Sequence, residues 1–366
     1  MKQILVIRRD NIGDLVCTTP LLTSLRAALP EAWIGVLATA YNAPILREHP
    51  AIDALYTYTK LKHRRSGQSR LGIVWRTASL IFQLRRRRLD VVIIASPGIQ
   101  ASAFKYARLI RPRLIVAYES PLAERFAGPV RECVAADGSV TRVRTSGGVI
   151  LKTLPHSLAA EGHEAEATHR LLRLLDIDAP VPPVHLVAGA LAVARVAPLF
   201  RRTDPARYRL AVHISARQPQ QRWDEKRWEA FIDLALNMLN VTVILLWSPG
   251  PNDNPLHPGD DAMAEGLSRR FAAAALLPVP TRRLEALVGA LAHADAVFCA
   301  DGGAMHIAAG LNKPIVCLFG RSDPHRWRPW GALHRVLVAP TRHVEDITAE
   351  QGLAALLALC PFLAKA

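Results

Sequence analysis

Short apolar runs alternate with longer amphipathic segments along almost the whole chain. The apolar runs at residues 4–7, 33–38 and 91–95 predict buried strands, and the helical periodicity of residues 71–88 predicts a long helix. Strands that alternate with helices at this spacing form a parallel sheet with helices on both faces. Residues 118–147 lack a clean period, so we predict loops there.

The second half of the chain repeats this alternation after a proline-rich stretch at residues 178–183. A chain of 366 residues is too long for one typical core, so we predict two doubly wound domains at 1–180 and 181–366. Residues 151–175 have helical character. The last predicted helix, near the C-terminus, is a candidate to pack back on the N-terminal domain.

Composition narrows the class of protein without choosing a function. No apolar run reaches the ~18–20 residues of a membrane span, and the apolar stretch at the N-terminus suits a strand better than a signal peptide. Five scattered cysteines without C-x-x-C spacing favour the cytoplasm and argue against a disulfide frame or a zinc site. The net charge of +15 indicates an anionic partner, either nucleic acid, a phosphorylated substrate or a membrane surface.

Asp301, Gly302 and Gly303 follow the predicted strand at 296–300 and precede a compact predicted helix. In an open α/β sheet, a glycine turn at this place offers free backbone N–H groups and the positive end of the helix dipole. The turn is therefore a candidate phosphate or pyrophosphate site. A tight turn with ordinary capping explains the same three residues equally well.

Three motifs in this order carry a family resemblance over essentially the whole length. They are Ile12-Gly13-Asp14, Gln221-Arg222-Trp223, and Asp301-Gly302-Gly303-Ala304-Met305-His306 followed by Lys313-Pro314 and Phe319-Gly320. With them the chain resembles glycosyltransferase family 9, the ADP-heptose:lipopolysaccharide heptosyltransferases. The resemblance implies the α/β fold called GT-B, with two doubly wound Rossmann-like parallel-sheet domains facing a central cleft.

The resemblance also implies a reaction, the inverting transfer of a heptose from ADP-heptose to a lipopolysaccharide inner-core acceptor, with no metal and no other cofactor. It assigns the general base to Asp14. The residues agree, because Asp14 follows a glycine at a predicted helix start, where the helix dipole keeps a carboxylate ionised. An acid placed in a first helical turn for stability is the alternative reading.

For the donor, the resemblance implies that the backbone of the Gly302–Gly303 turn takes the pyrophosphate and that neighbouring side chains line the same pocket. Gln221 stands where the family often has a lysine, and Arg217 or Arg222 could supply the charge from a neighbouring position. Asp253 is the nearest acid for the nucleotide ribose. The implied donor residues are Ser215, Arg217, Gln221, Arg222, Asp253, Asp301, Gly302, Gly303 and His306.

For the acceptor, the resemblance points to the N-terminal domain, where residues 60–88 hold ten lysines and arginines and no acid. Such a stretch suits an anionic acceptor or the inner face of the cytoplasmic membrane, although a solvated helix face is the ordinary reading. Trp75 and Phe82 among these cations fit a peripheral amphipathic helix. The acceptor candidates are Arg8, Asn11, Gly13, Lys62, Arg64 and Arg65.

Other classes fit the motifs less well. No G-x-G-x-x-G follows the first strand, no Walker phosphate loop is present, and no nucleic-acid recognition motif is visible. We therefore expect a monomer that binds an ADP-sugar and an anionic glycan and no nucleic acid. A GT-B transferase for a UDP-linked sugar and a non-catalytic anionic-glycan-binding relative stay open, the latter because of Gln221.

Overall fold

The computed structural model describes residues 1–58, 69–98, 101–126, 128–134, 140–201, 203–253, 258–273 and 275–365. The chain forms two compact units, Met1–Pro182 and Pro183–Ala366, which meet in sequence inside the proline-rich stretch. Each unit is a twisted, mainly parallel sheet with helices between its strands. The predicted α/β class with two Rossmann-like parallel sheets is confirmed.

The described part of the N-terminal unit has eight strands in the order β3-β2-β1-β4-β5-β8-β7-β6. Its strands are β1 Gln3–Ile7, β2 Trp33–Thr39, β3 Ala54–Tyr58, β4 Val91–Ile94, β5 Leu114–Tyr118, β6 Arg131–Val134, β7 Val140–Ser146 and β8 Val149–Leu154. Its helices are α1 Ile12–Val16, α2 Thr19–Ala28, α3 Arg70–Arg86, α4 Ala101–Ile110, α5 Pro121–Glu124, α6 Ser157–Ala160 and α7 Glu164–His169.

The described part of the C-terminal unit has six parallel strands in the order β11-β10-β9-β12-β13-β14. They are β9 Tyr208–His213, β10 Val241–Trp247, β11 Leu276–Pro280, β12 Ala296–Ala300, β13 Ile315–Phe319 and β14 His334–Val338. The helices are α8 Ala190–Phe200, α9 Glu225–Met238, α10 Asp261–Arg270, α11 Leu284–His293, α12 Gly303–Gly310, α13 Pro324–Trp327 and α14 Ala349–Leu359.

Two sequence predictions in the N-terminal unit are wrong. Residues 118–147, predicted as loops, contain α5 and the antiparallel strands β6 and β7, and the start of the segment predicted helical at 151–175 is strand β8. Strand β6 is exposed along its whole length, so it carries no buried face that an apolar pattern could reveal. Strand β8 is flanked by a parallel and an antiparallel neighbour, and this long-range pairing overrides its local helical character.

Apolar burial holds each unit together around its own sheet. In the C-terminal unit, Trp223, Trp228, Phe231 and Phe298 form one aromatic cluster between the sheet and α9, and the Phe231 and Phe298 rings stack with centroids 3.9 Å apart. Helix α14 packs on α9 and on strands β13 and β14 of the same unit. Of the helices that the structure describes, none combines the length and apolarity of a bilayer span.

Candidate functional site

Arg8 leaves the carboxyl end of β1 and is buried at the centre of an ionic cluster in the N-terminal unit. Its Nη2 contacts Asp14 Oδ1 and Glu164 Oε1, each at 2.7 Å, and its Nε lies 3.1 Å from Asp10 Oδ2. Its Nη1 donates to the Ala95 carbonyl oxygen after β4. Three carboxylates thus share one guanidinium, so the positive charge predicted to face the acceptor already has partners within the chain.

Asp14 lies in the first turn of α1, with its N-cap at Asn11. The Asn11 backbone N–H donates to Asp14 Oδ2 at 2.9 Å, which completes a capping box. Burial alone would raise the pKa of Asp14, but the Arg8 guanidinium and the Asn11 N–H outweigh it and leave this pKa below its ordinary value. Asp14 is therefore ionised at neutral pH and able to accept a proton. Gly13 beside it is buried, whereas Asn11 is exposed.

Glu164 is a member of the ionic cluster that sequence reasoning missed. It is the first residue of α7, buried, and separated from Arg8 by 156 positions in the chain. Its neighbours His163 and Glu166 form the capping box of α7, which is the local signal of a helix start. That signal marks where the helix begins, but nothing in the sequence indicates that its first residue meets Arg8.

In the C-terminal unit, three side chains meet where the adjacent strands β9, β12 and β13 end. The Gln221 amide Nε2 donates to Asp301 Oδ2 at 2.8 Å and to Ser322 Oγ at 2.9 Å. The Ser322 hydroxyl donates to the same Asp301 oxygen at 2.5 Å. Gln221 is buried, and its side-chain amide has two N–H bonds, so both are used within this trio. Ser322 was not singled out in the sequence.

A second trio lies after strands β9 and β10 of the same unit. Ser215 Oγ donates to Asp260 Oδ2 at 2.5 Å, and the Arg222 guanidinium forms an ion pair with the other oxygen of Asp260. Burial raises the pKa of Asp260, and it outweighs the Ser215 hydrogen bond and the Arg222 charge, which lower this pKa. Asp253, the acid predicted for the ribose, is exposed in the turn after β10, so Asp260 is the acid that joins Ser215 here.

The turn before α12 is open on the side of its glycines. A Cβ added at Gly302 would meet no heavy atom within 4 Å, and no side chain caps the first turn of this helix. The N–H groups of Gly303 and Ala304 at this end are therefore available to an anion, and the helix dipole favours one. His306, one turn into α12, is buried, with its ring edge to face with Trp327 at 6.1 Å.

The remaining predicted residues fall into two groups. Arg217 is exposed in the segment between β9 and Gln221. Lys62, Arg64 and Arg65 lie outside the described residues. Among the residues that the structure does describe, no group of three or more His, Cys, Asp or Glu side chains is arranged to hold a metal ion.

A family model described as glycosyltransferase family 9 (heptosyltransferase) matches residues 138–354, which is more than half of the chain. A curated relative, lipopolysaccharide heptosyltransferase 3 of Escherichia coli, is 25% identical over 319 residues, which cover 87% of this chain and 83% of that protein. The residues matched by the family model include the Gln221-Arg222-Trp223 motif and the motif that begins at Asp301.

Solved structures agree with the fold. A glycosyltransferase family 9 protein of Veillonella parvula superposes with a TM-score of 0.77 at 17% identity, covering 99% of this chain and 97% of its own. The ADP-heptose lipopolysaccharide heptosyltransferase II of E. coli superposes with a TM-score of 0.71 at 20% identity, covering 99% of each chain. These likenesses confirm the predicted GT-B fold.

Proposed function

We propose a reaction for this chain, which belongs to glycosyltransferase family 9, the heptosyltransferase family, and is therefore a glycosyltransferase enzyme. The proposed reaction moves a heptose from ADP-heptose to an anionic lipopolysaccharide inner-core acceptor, with inversion and without a metal. One observation supports it above the others: a carboxylate, Asp14, that burial has not neutralised lies at the carboxyl edge of the N-terminal sheet.

Asp14 is the proposed general base. As the acceptor hydroxyl oxygen bonds to the anomeric carbon of the donor, the carbon–phosphate oxygen bond breaks and the hydroxyl proton passes to Asp14. Arg8 and the Asn11 N–H hold this carboxylate in one orientation. The same two contacts lower the pKa of Asp14 and so make it a weaker base. Asp10 and Glu164 also contact the Arg8 guanidinium, and their negative charges offset part of its effect on the pKa of Asp14.

The donor diphosphate is proposed to bind at the open first turn of α12. There the free N–H groups of Gly303 and Ala304 would stabilise the negative charge that grows on the leaving nucleotide. Asp301 beside this turn is fixed by Gln221 and Ser322, which suits hydrogen bonding to sugar hydroxyls. Asp260, fixed by Ser215 and Arg222, is the proposed acid for the nucleotide ribose.

A membrane surface is the proposed setting of the acceptor, with the enzyme peripheral at the cytoplasmic face and monomeric. Helix α3 supports this, because Val74, Trp75 and Phe82 are 59%, 74% and 62% exposed. Exposed arginines lie on the same helix, at Arg76, Arg85 and Arg86. Two aromatic rings beside cations match an interfacial helix on anionic lipid. The anionic acceptor would then be presented at the same surface.

One observation favours a second candidate, a non-catalytic relative that binds an anionic glycan. Both N–H bonds of the Gln221 amide are engaged by Asp301 and Ser322, so this side chain offers a phosphate neither a charge nor a free donor. If no other cation compensates, donor binding would be lost.

Calorimetric titration of the full chain with ADP, UDP and GDP, without added metal, distinguishes these candidates. Selective binding of ADP, weakened at least tenfold by Asp260→Ala, is the expected result, because Asp260 is the proposed partner of the ribose hydroxyls. Preference for UDP would move the function to another sugar transferase of the same fold. Binding of none of the three would leave the glycan-binding candidate.

A further inference from the structure

Arg9 follows Arg8 directly, yet its surroundings differ from those of its neighbour. Its side chain is buried, with 6% of the residue exposed. Its Nε and Nη1 have no hydrogen-bond partner among the residues that the structure describes, and no ion pair to Arg9 occurs among them. A buried guanidinium that lacks a carboxylate is costly, whereas Arg8 next to it contacts three.

Two tyrosine rings hold the Arg9 guanidinium. Its Cζ lies 4.2 Å from the Tyr58 ring centroid and 4.7 Å from that of Tyr106, and the two rings are 5.3 Å apart. Cation–π contacts of this kind orient the guanidinium plane but leave its N–H groups without an acceptor. Within the described part of the chain, the buried Tyr58 hydroxyl is also without a hydrogen-bond partner.

The protonation state of Tyr58 makes this second group a donor. Burial raises its pKa to about 12 and outweighs the nearby Arg9 charge, which lowers it, so the hydroxyl keeps its proton at neutral pH. Arg9 and Tyr58 therefore present N–H and O–H donors together. Such a set of unmatched donors is complementary to an oxyanion.

The position of this pair in the sheet is that of a ligand site. Arg9 follows strand β1 and Tyr58 ends strand β3, so both lie at the carboxyl edge where open α/β sheets bind ligands. The acid nearest in sequence, Asp10, is engaged by Arg8 Nε at 3.1 Å and by the Ser96 hydroxyl at 3.0 Å. Both contacts are made by Asp10 Oδ2, and no ion pair between Asp10 and Arg9 occurs among the described residues.

We infer that Arg9 and the Tyr58 hydroxyl form a binding site for one anionic group, a carboxylate or a phosphate, on the acceptor sugar. The planar guanidinium suits both oxyanions, because each offers two oxygens to its paired N–H groups. That the anion belongs to the acceptor rests on the proposed function. Recognition of an anionic sugar by Arg9 does not, and it can be tested without any donor.

The test is a titration of the full chain with D-glucuronate and with glucose 6-phosphate, followed by ligand-observed NMR, with methyl glucoside as the neutral probe. We expect at least one anion to bind and methyl glucoside not to bind, and the preferred anion identifies carboxylate or phosphate as the natural group. Arg9→Gln should weaken binding by about 10- to 100-fold. Arg9→Lys should restore part of the lost affinity, since lysine returns the positive charge without the planar pair of N–H donors.

Two controls separate this role from a purely structural one. Arg209→Gln removes another stacked guanidinium, which lies 5.6 Å from the Phe200 ring centroid in the C-terminal unit, and should leave anion binding unchanged. Tyr58→Phe keeps the ring under Arg9 and removes only the hydroxyl, so it should fold normally and weaken binding by about threefold to tenfold. This second variant keeps the test valid even where Arg9→Gln does not fold.

Several outcomes would overturn the inference. They are failure of the wild-type chain to bind either anion, equal binding by folded Arg9→Gln, and equal binding by Tyr58→Phe. In a transfer assay, Arg9→Gln should raise the KM for the acceptor and leave that for the donor unchanged. Anion binding by a chain that transfers no sugar would retain this site and reject the proposed reaction, so the two failures are distinguishable.

Discussion

The Gln221 amide nitrogen lies 2.8 Å from Asp301 Oδ2, although the two residues are 80 positions apart in the chain. The contact exists because strands β9 and β12 are neighbours, so the residues that follow them share one edge of the sheet. Asp301 therefore has neutral partners, Gln221 and Ser322, at an oxygen where a lysine would place a positive charge. The charge balance of the proposed donor site depends on this difference.

Gln221→Lys should strengthen ADP binding by about tenfold, because it adds a cation beside the proposed diphosphate position. Gln221→Met is the matched control, since it keeps the volume, removes the hydrogen bonds to Asp301 and adds no charge. Calorimetric titration with ADP compares the three proteins. Weaker binding by the lysine variant than by the methionine variant would mean that the ammonium is fully engaged by Asp301 and that no phosphate lies there.

The free energy of unfolding should fall as the pH drops from about 6.5 towards 4, and His213 is a principal cause. Burial lowers the pKa of His213 from 6.5 to about 4. A histidine whose folded pKa is depressed stabilises the fold fully above its unfolded pKa and loses that contribution as pH falls through the folded pKa. The pKa values of His169 and His293 are lowered by burial too, so they add to the slope in the same direction.

Denaturant unfolding at a series of pH values measures this effect. The His213 share amounts to about 3 kcal/mol by pH 4. His213→Gln should therefore reduce the slope of unfolding free energy against pH by the equivalent of up to one bound proton, whatever the stability of the variant at neutral pH. A profile with the same slope in both proteins would contradict the burial of a neutral imidazole at this position.

Gly289→Ala should destabilise the C-terminal unit by about 1–3 kcal/mol. A Cβ at this position in α11 would lie 2.2 Å from the Ala192 carbonyl oxygen of α8, which is backbone and cannot turn aside. Gly72→Ala in α3 is the control, because its Cβ would meet nothing closer than 3.8 Å. That helical substitution should stabilise by about 0.5–1 kcal/mol. Thermal unfolding of both variants checks the pair, and equal effects would reject the close approach of α8 and α11.

Replacing both exposed aromatic residues of α3, Trp75→Ala with Phe82→Ala, should weaken binding to anionic lipid vesicles by at least about tenfold. Leu191→Ala in α8 is the control, since this leucine is 78% exposed and lies in the other unit. Vesicle co-sedimentation at two salt concentrations measures the effect. Equal sedimentation of the double variant and the wild type would show that α3 does not bind the lipid surface and that its exposed face is simply solvated.

The sequence predicts local units well and distant contacts poorly. The strand and helix predicted on either side of the Gly302–Gly303 turn are β12 and α12 in the structure, because the apolar run and the glycine pair lie within one short segment. Strand β14, by contrast, is partly exposed at most positions, so its residues give no clear pattern. A wholly buried element carries a run of apolar residues that the sequence shows, whereas a partly exposed element mixes polar and apolar residues without a clear pattern.

The same distinction applies to the candidate site residues. Asp14 and Asp301 belong to motifs whose neighbours in sequence are also their neighbours in space. Glu164, Asp260 and Ser322 reach their partners only through the sheet order, across 156 residues to Arg8, 45 to Ser215 and 21 to Asp301. Asp253 was the nearest acid along the chain, but proximity in sequence does not determine which side of a loop faces the sheet edge.

Asp14→Asn removes the proposed proton acceptor, and its turnover is measured in a transfer assay with ADP-heptose and the lipopolysaccharide core acceptor. The variant should fold, because Asp10 and Glu164 still pair with Arg8, and it should bind ADP as the wild type does. Loss of the general base should lower turnover by about 10²–10⁴-fold. Wild-type turnover in folded Asp14→Asn would contradict the account, since no proton acceptor would then be required at this position.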